Sequence, residues 1–376
     1  MSKQKTLHVL GLSGGKDSAA LALYMDDKLR KAGSDIHMHY YFTDTGKELP
    51  EVKTFIDKVS GNLHGGVIDP YHEVFTSNRK QKDFDYHLEQ HKNYLPSPQA
   101  RWCTIQMKLV PFQKWVEKKM AEDGYTDVVS YVGIRADEPE RGGFVTNQVT
   151  DQYMQIKMPF REDGITRDGV FDILQQADLL ADDPEVIAYR SLKQDEFGLE
   201  YEPTDEELQE HFLSQIAGIK NKPEHPYYES NLTPDLLRKI VETMDKGLPG
   251  YYGWRSRSGC TFCFYQQKIE WLRLMSIYPK AYEEAKSYEK TIEQARPDGT
   301  FYWLGQNTPL STLESEERQQ QIEENHQKRY DRFVAKTQKR AKRNPLKNII
   351  YFSDNDVMDE LYDQAEGGGA CVTCYK

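Results

Sequence analysis

The chain has 376 residues, 29% of them charged, with a formal net charge of -11 and a mean hydropathy of -0.78. That length suits one large domain or two, and no apolar run approaches the roughly 20 residues of a membrane span, so a cytoplasmic protein without membrane contact is expected. The acidic balance speaks against wholesale coating of nucleic acid but leaves room for a local basic patch.

In chain order, Leu7–Leu10 is a short apolar run of strand type. It leads into Gly11-Leu12-Ser13-Gly14-Gly15-Lys16-Asp17-Ser18, and helical spacing follows over Ala19–Ala32. Strand, glycine-rich turn and helix start make an anion site: the glycines let the backbone approach a phosphate, and the N–H groups of the first helical turn point at it. Lys16 adds a point charge and the hydroxyls of Ser13 and Ser18 add donors. A Walker loop cannot be laid over these residues. His39–Phe42 is a second strand, followed by the turn-forming Thr43-Asp44-Thr45-Gly46 and a helix over Pro50–Val59. A helix is expected over Lys108–Ala121 and a strand over Val128–Val132, the latter ending in Gly133-Ile134-Arg135-Ala136-Asp137-Glu138. This alternation predicts an α/β fold, a parallel sheet wrapped by helices. Ligands then sit at the carboxyl ends of the strands, where the three motif loops fall. His64, His72, His87 and His91 show no metal spacing and read as surface or loop residues.

From about Asp163 the pattern becomes helical and acidic, punctuated by Pro184, Pro203, Pro223 and Pro234. The stretch Gly250–Gly259, rich in glycine, aromatics and arginine, leads into Cys260-Thr261-Phe262-Cys263. An amphipathic helix over Gln266–Tyr278 comes next, then a helix over 314–343, acidic at its start and basic at its end. The tail carries Cys371 and Cys374. The expected organisation is a core at 1–162, a helical accessory region at 163–247 and a cysteine-rich region with a basic helix at 248–376. In a reducing compartment the five cysteines are not expected as disulfides. The pairs Cys260/Cys263 and Cys371/Cys374 form the ligand set of a [4Fe-4S] cluster or of Zn²⁺; Cys103 with Cys260 and Cys263 is the other set, with an open iron position. Lys328–Lys347 holds nine cations against Asp331 alone; it is either a contact for a nucleic-acid backbone or a solvated face balancing the acidic start of its helix.

Ser13-Gly14-Gly15-Lys16-Asp17-Ser18 resembles the PP-loop of the adenine nucleotide alpha-hydrolase superfamily, the N-type ATP pyrophosphatases. Thr43-Asp44-Thr45-Gly46, Arg101-Trp102-Cys103-Thr104 with Lys108 and Pro111, and Gly133-Ile134-Arg135 with Glu138 resemble loops of its phosphoadenosine phosphosulfate (PAPS) reductase branch. The resemblance implies that ATP and Mg²⁺ bind at Ser13–Ser18, with Lys16, Asp17 and Arg135 catalytic. It also implies that Asp44, Thr45 and Gly46 lie near base and sugar, with Arg101, Lys108, Gly133 and Arg135 on the phosphate side. The Glu-Cys-Gly-Leu-His tail of assimilatory reductases is not found. With the cysteine pairs and the helical insertion, the chain most resembles the ATP pyrophosphatase subunit of DNA phosphorothioation systems, of the DndC and SspD type. That implies a nucleic-acid acceptor, DNA ahead of tRNA, and a cysteine desulfurase as sulfur donor. A tRNA thiolation enzyme, a PAPS or adenylylsulfate reductase, and a nucleotide-sensing module without turnover are the alternatives.

Overall fold

The computed structural model describes residues 5–65, 67–68, 83–98, 100–138, 154–194, 198, 200–211, 227, 230–290, 301–304 and 308–343. Cys371 and Cys374, His72 and the end of the basic stretch lie outside them. Its centre is a five-stranded, all-parallel sheet of order β3-β2-β1-β4-β5. The strands are β1 (Thr6–Leu12), β2 (Met38–Phe42), β3 (Val67–Ile68), β4 (Asp127–Tyr131) and β5 (Met154–Lys157).

Alternation along β1 explains why the sheet is covered twice. Leu10 and Leu12 pack toward α1 (Lys16–Lys31) and α2 (Pro50–Gly61), whereas Leu7 and Val9 pack with Tyr41, Phe112, Trp115 and Val128 on the opposite face. Gly15 precedes α1 in extended conformation, and an acid in the first turn with Lys28, Arg30 and Lys31 in the last complements the helix dipole. The helix therefore starts inside the glycine-rich motif, three residues before the expected Ala19. The other expected helix, Lys108–Ala121, begins as a turn at Trp102–Thr104 and a π-helical segment at Ile105–Leu109 before continuing as an α-helix over Val110–Asp123. Pro111, at the start of that α-helix, has no N–H to donate back to the preceding turn. His87, expected at the surface, is 8% exposed on α3 (Phe84–Gln90).

His39 on β2 meets the edges of His37 at 4.7 Å and Trp115 at 6.1 Å. Burial, then the neighbouring His37 and Lys119, push its imidazole down to about 4. In an unfolded chain the value is about 6.5, so acid protonates the unfolded state first and stability falls as pH drops through that window. After allowance for partial solvent exposure the loss should be about 1–2 kcal/mol. His39→Phe should lose correspondingly less stability than wild type between pH 7 and pH 4 in thermal melts. Parallel pH profiles would remove His39 as the cause.

The chain beyond β5 packs onto the same sheet, with helices that include α4 (Pro159–Glu162), α5 (Arg167–Ala177), α6 (Pro184–Leu192), α7 (Pro234–Asp245), α8 (Lys268–Ile277), α9 (Pro279–Tyr288) and α10 (Glu316–Arg343). One contiguous cluster of buried side chains takes Leu10 and Ala20 from the first half, Leu174 and Val186 from the middle, and Tyr251, Trp254, Trp271 and Leu310 from the last third. Among the described residues no helix is long and apolar enough to cross a membrane.

Candidate active site

Chain order runs outward from β1 to β2 and β3, then returns to β4 and β5 on the other side. The carboxyl ends of β1 and β4 therefore flank a topological switch point, the ordinary ligand crevice of open parallel sheets. The loop after β1 folds on itself there. Ser13 and Ser18 exchange a hydroxyl contact at 3.2 Å, Gly15 N–H donates to Ser13 Oγ at 3.2 Å, and Ser18 Oγ donates to Gly15 O at 3.0 Å. Gly14 has φ +73, and a Cβ there would stand 2.6 Å from Val52 Cγ1, so only glycine fits this turn against α2.

Two tyrosines from a 3₁₀ turn at Gly250–Gly253 close the loop from outside. The Tyr251 hydroxyl donates to Gly14 O, and Lys16 N–H donates to Tyr252 Oη at 3.1 Å. Lys16 is 3% exposed, with its ammonium 4.8 Å from the Tyr252 ring centroid. Nothing in the motif spacing marks these tyrosines; the only sequence signal is the aromatic, glycine-rich run ahead of Cys260.

The loop after β4 meets α1 directly. A Cβ on Gly133 would come within 3.0 Å of Asp17 O. Arg135 reaches Asp17 Oδ1 at 2.9 Å and Glu138 Oε1 at 3.2 Å through Nη1, and Asp137 Oδ1 at 3.2 Å through Nε. The Arg135 side chain is 3% exposed, that of Asp17 8% and that of Glu138 4%. Arg135, expected on the phosphate side, engages three carboxylates and so holds Asp17 in place. Burial opposes its charge, but those carboxylates, Asp17 first, hold its pKa well above the ordinary arginine value.

The loop after β2 connects the crevice to the cysteine pair. Asp44 caps its own turn, accepting from Gly46 N–H at 2.7 Å, and pairs with Lys53 at 2.7 Å. Thr45 donates its N–H (3.0 Å) and hydroxyl (2.7 Å) to Glu48, and its hydroxyl lies 3.2 Å from Cys260 Sγ. Thr261 N–H donates to Lys47 O at 2.7 Å, which pins the cysteine strip alongside the loop. Burial, then the adjacent Asp44 carboxyl, push Glu48 up to about 7. Burial raises both cysteine thiols, with Glu48 adding to the effect at Cys260, while Lys108 acts in the opposite direction on both. Arg101 donates Nε–H to Pro98 O at 3.2 Å and stacks 5.3 Å from the Tyr265 ring, two residues beyond Cys263.

Cys103 packs half-buried against the main core. Among the described residues no group of three or more His, Cys, Asp or Glu side chains is placed to hold a metal ion, so Cys103 is not brought into a ligand set with Cys260 and Cys263. Of the expected ligand set the described residues hold Cys260 and Cys263, whose thiols burial pushes up; Cys371 and Cys374 lie outside them. Asp17, expected beside Mg²⁺, is paired with Arg135.

Residues 8–158 match the family model of the phosphoadenosine phosphosulfate reductase domain. This part of the chain is thus similar to that domain, and the parallel sheet agrees with the likeness. The chain is 32% identical over 154 residues to an uncharacterized nin region protein of Escherichia phage lambda, covering 36% of this chain and 50% of that protein. It is 30% identical over 127 residues to an uncharacterized protein of Methanocaldococcus jannaschii, covering 34% of this chain and 22% of that protein. The chain thus spans half or less of the length of these curated relatives. No solved structure matches it significantly.

Proposed function

We propose that the chain is an ATP pyrophosphatase that transfers AMP to an acceptor and so prepares it for sulfur. The observation that carries this reading is the closed Ser13–Ser18 loop at the β1/β4 switch point, with Lys16 buried beside it and Asp17 held by Arg135. Backbone amides of the loop and first helical turn hold the phosphates, and Lys16 offsets charge that grows on pyrophosphate as the α–β bond breaks. An acceptor oxygen attacks the α-phosphorus, pyrophosphate departs, and sulfide then displaces AMP from the acceptor. A phosphodiester oxygen is a poor leaving group and AMP a good one, so a DNA backbone gains most from this activation. The motif resemblance to DNA phosphorothioation subunits and the exposed Lys328, Arg329, Arg332 and Lys339 on α10 support a nucleic-acid acceptor. A partner of the cysteine desulfurase class, with a thiol reductant, would supply the sulfide.

The test is pyrophosphate release from ATP supplied with magnesium. Ser13→Ala combined with Lys16→Ala should lower it by about 100-fold or more, since removing one donor to developing negative charge already costs that much. Unchanged release in a folded double variant would overturn the reading. The family match favours one second reading, reduction of a sulfonucleotide, which sulfite release from PAPS with a thiol reductant would identify.

A further inference from the structure

Beyond the cysteine pair, the turn after Cys263 and one face of α10 enclose an open cavity of about 610 Å³. Arg318, Ile322, Asn325, His326 and Arg329 come from α10, at spacings of three and four residues that keep them on one helical face. Glu316, Glu317, Glu323 and Glu324 stand on the same half of that helix, yet none of them lines the cavity. The other wall includes Phe264, Tyr265, Lys268, Ile269, Trp303 and Leu304. Among the described residues the lining thus carries three cations and no carboxylate, in a chain with 60 acids against 49 lysines and arginines.

This combination narrows what the cavity takes. Trp303 is fixed in orientation by its Nε1–H donation to Ala285 O at 2.9 Å and by the Trp271 ring at 6.0 Å, so the apolar wall is already formed. An inorganic anion would meet the cations and leave Ile269, Trp303 and Ile322 facing water. A purely apolar ligand would leave the cations without a counter-charge. The complementary occupant is a peptide in which apolar side chains alternate with acids.

The chain carries such a peptide. Residues 349–363, outside the described residues, read Ile-Ile-Tyr-Phe-Ser-Asp-Asn-Asp-Val-Met-Asp-Glu-Leu-Tyr-Asp, with five acids and no lysine or arginine. Its tether is long enough. From Arg329 to the end of α10 at Arg343 the helix runs about 21 Å, whereas the stretch from Arg343 to Asp356 can span roughly 45 Å. A segment on the same chain also meets the cavity at an effective concentration on the order of mM, so modest complementarity suffices to fill it.

We propose that residues 349–363 dock into this cavity within their own chain, recognised jointly by its apolar wall and by Lys268, Arg318 and Arg329. The wall begins at Phe264, next to Cys263, and the stretch from Asp363 to Cys371 can span roughly 28 Å. Docking therefore brings the second cysteine pair within reach of the first. The inference is independent of the pyrophosphatase reading and is tested without nucleotide.

The test is carbodiimide coupling of the full chain, read by mass spectrometry of its peptides. Zero-length coupling should join the Lys268 amine to a carboxylate within residues 354–363. Mixing isotopically labelled with unlabelled protein distinguishes coupling within a chain, the expected result, from coupling between two copies. Asp356→Lys combined with Asp359→Lys and Glu360→Lys should abolish the coupling. In that variant, backbone amides at 264–269 and 322–329 should exchange about tenfold faster, with the far-UV circular dichroism unchanged. Lys268→Glu with Arg318→Glu should speed exchange likewise, and combining the two sets should recover protection, which two unrelated defects would not do. Coupling only between copies would make the occupant a second chain and overturn the proposal. Absence of coupling together with wild-type exchange in the triple variant would leave the cavity to an external ligand and overturn it equally.

Discussion

Arg135→Leu should destabilise the protein by about 3–5 kcal/mol, the usual consequence of removing one partner from a buried ionic group. The guanidinium serves Asp17 at 2.9 Å and Glu138 at 3.2 Å, and all three side chains are at most 8% exposed. Without it, two carboxylates face each other in a site with little water. Each must be protonated or rehydrated, and either route opens the contact between the β4 loop and the first turn of α1. Arg135→Lys should recover only part of the loss, since an ammonium cannot bridge Asp17, Glu138 and Asp137 as the planar fork does. Adding Glu138→Gln to Arg135→Leu should restore stability relative to Arg135→Leu alone, because it removes one of the buried carboxylate charges that Arg135 balances. Thermal or denaturant unfolding of wild type and the three variants checks this. A loss below about 1 kcal/mol for Arg135→Leu, the range of exposed pairs, would show that the network contributes little.

Gly253→Ala is the second large effect. A Cβ at this position would stand 2.6 Å from Lys239 O and 2.7 Å from Ile240 N and Cα, all backbone atoms of α7. Backbone cannot turn aside as a side-chain tip can, so the 3₁₀ turn must lift from the helix. Overpacking of this kind costs about 1–3 kcal/mol, occasionally more. The turn carries Tyr251 and Tyr252, which bond to Gly14 O and Lys16 N–H. Nucleotide affinity should therefore fall with stability, although Gly253 touches no ligand-binding residue itself. Gly61→Ala is the control: it lies at the end of α2 with nothing within 4 Å of the added Cβ, and should change neither stability nor affinity appreciably. Isothermal titration with an ATP analogue, alongside thermal melts, reads both. An intact affinity in Gly253→Ala would mean that the tyrosines do not shape the loop.

The glycine-rich loop and the alternating strands were legible because their information is local. Strand, turn residues, lysine and helix start sit within a dozen consecutive positions, and hydrogen bonds among Ser13, Gly15 and Ser18 span five residues or fewer. Period-two burial in β1 needs only its own residues and a sheet to join. The first turn of α1 was read as loop because Lys16, Asp17 and Ser18 are poor markers of a helix interior, although they suit its N-terminus.

What escaped the sequence depends on which distant surfaces meet. The pairing of Arg135 with Asp17 was not legible because its motif spacing is compatible with either a phosphate or a carboxylate partner; 118 residues separate the two, and only the placement of β4 beside β1 brings them together. Tyr251 and Tyr252 lie 237 and 236 residues from the loop atoms they hold. Glu48 becomes a neighbour of Cys260 only because the cysteine strip docks on Lys47. By itself the sequence determined the anion loop, the parallel sheet and the candidate nucleotide chemistry, since these follow from short-range backbone geometry. Tertiary structure alone decided which charges are neutralised and which aromatic rings close the loop. Burial and long-range pairing are properties of the packed chain and not of any segment of it.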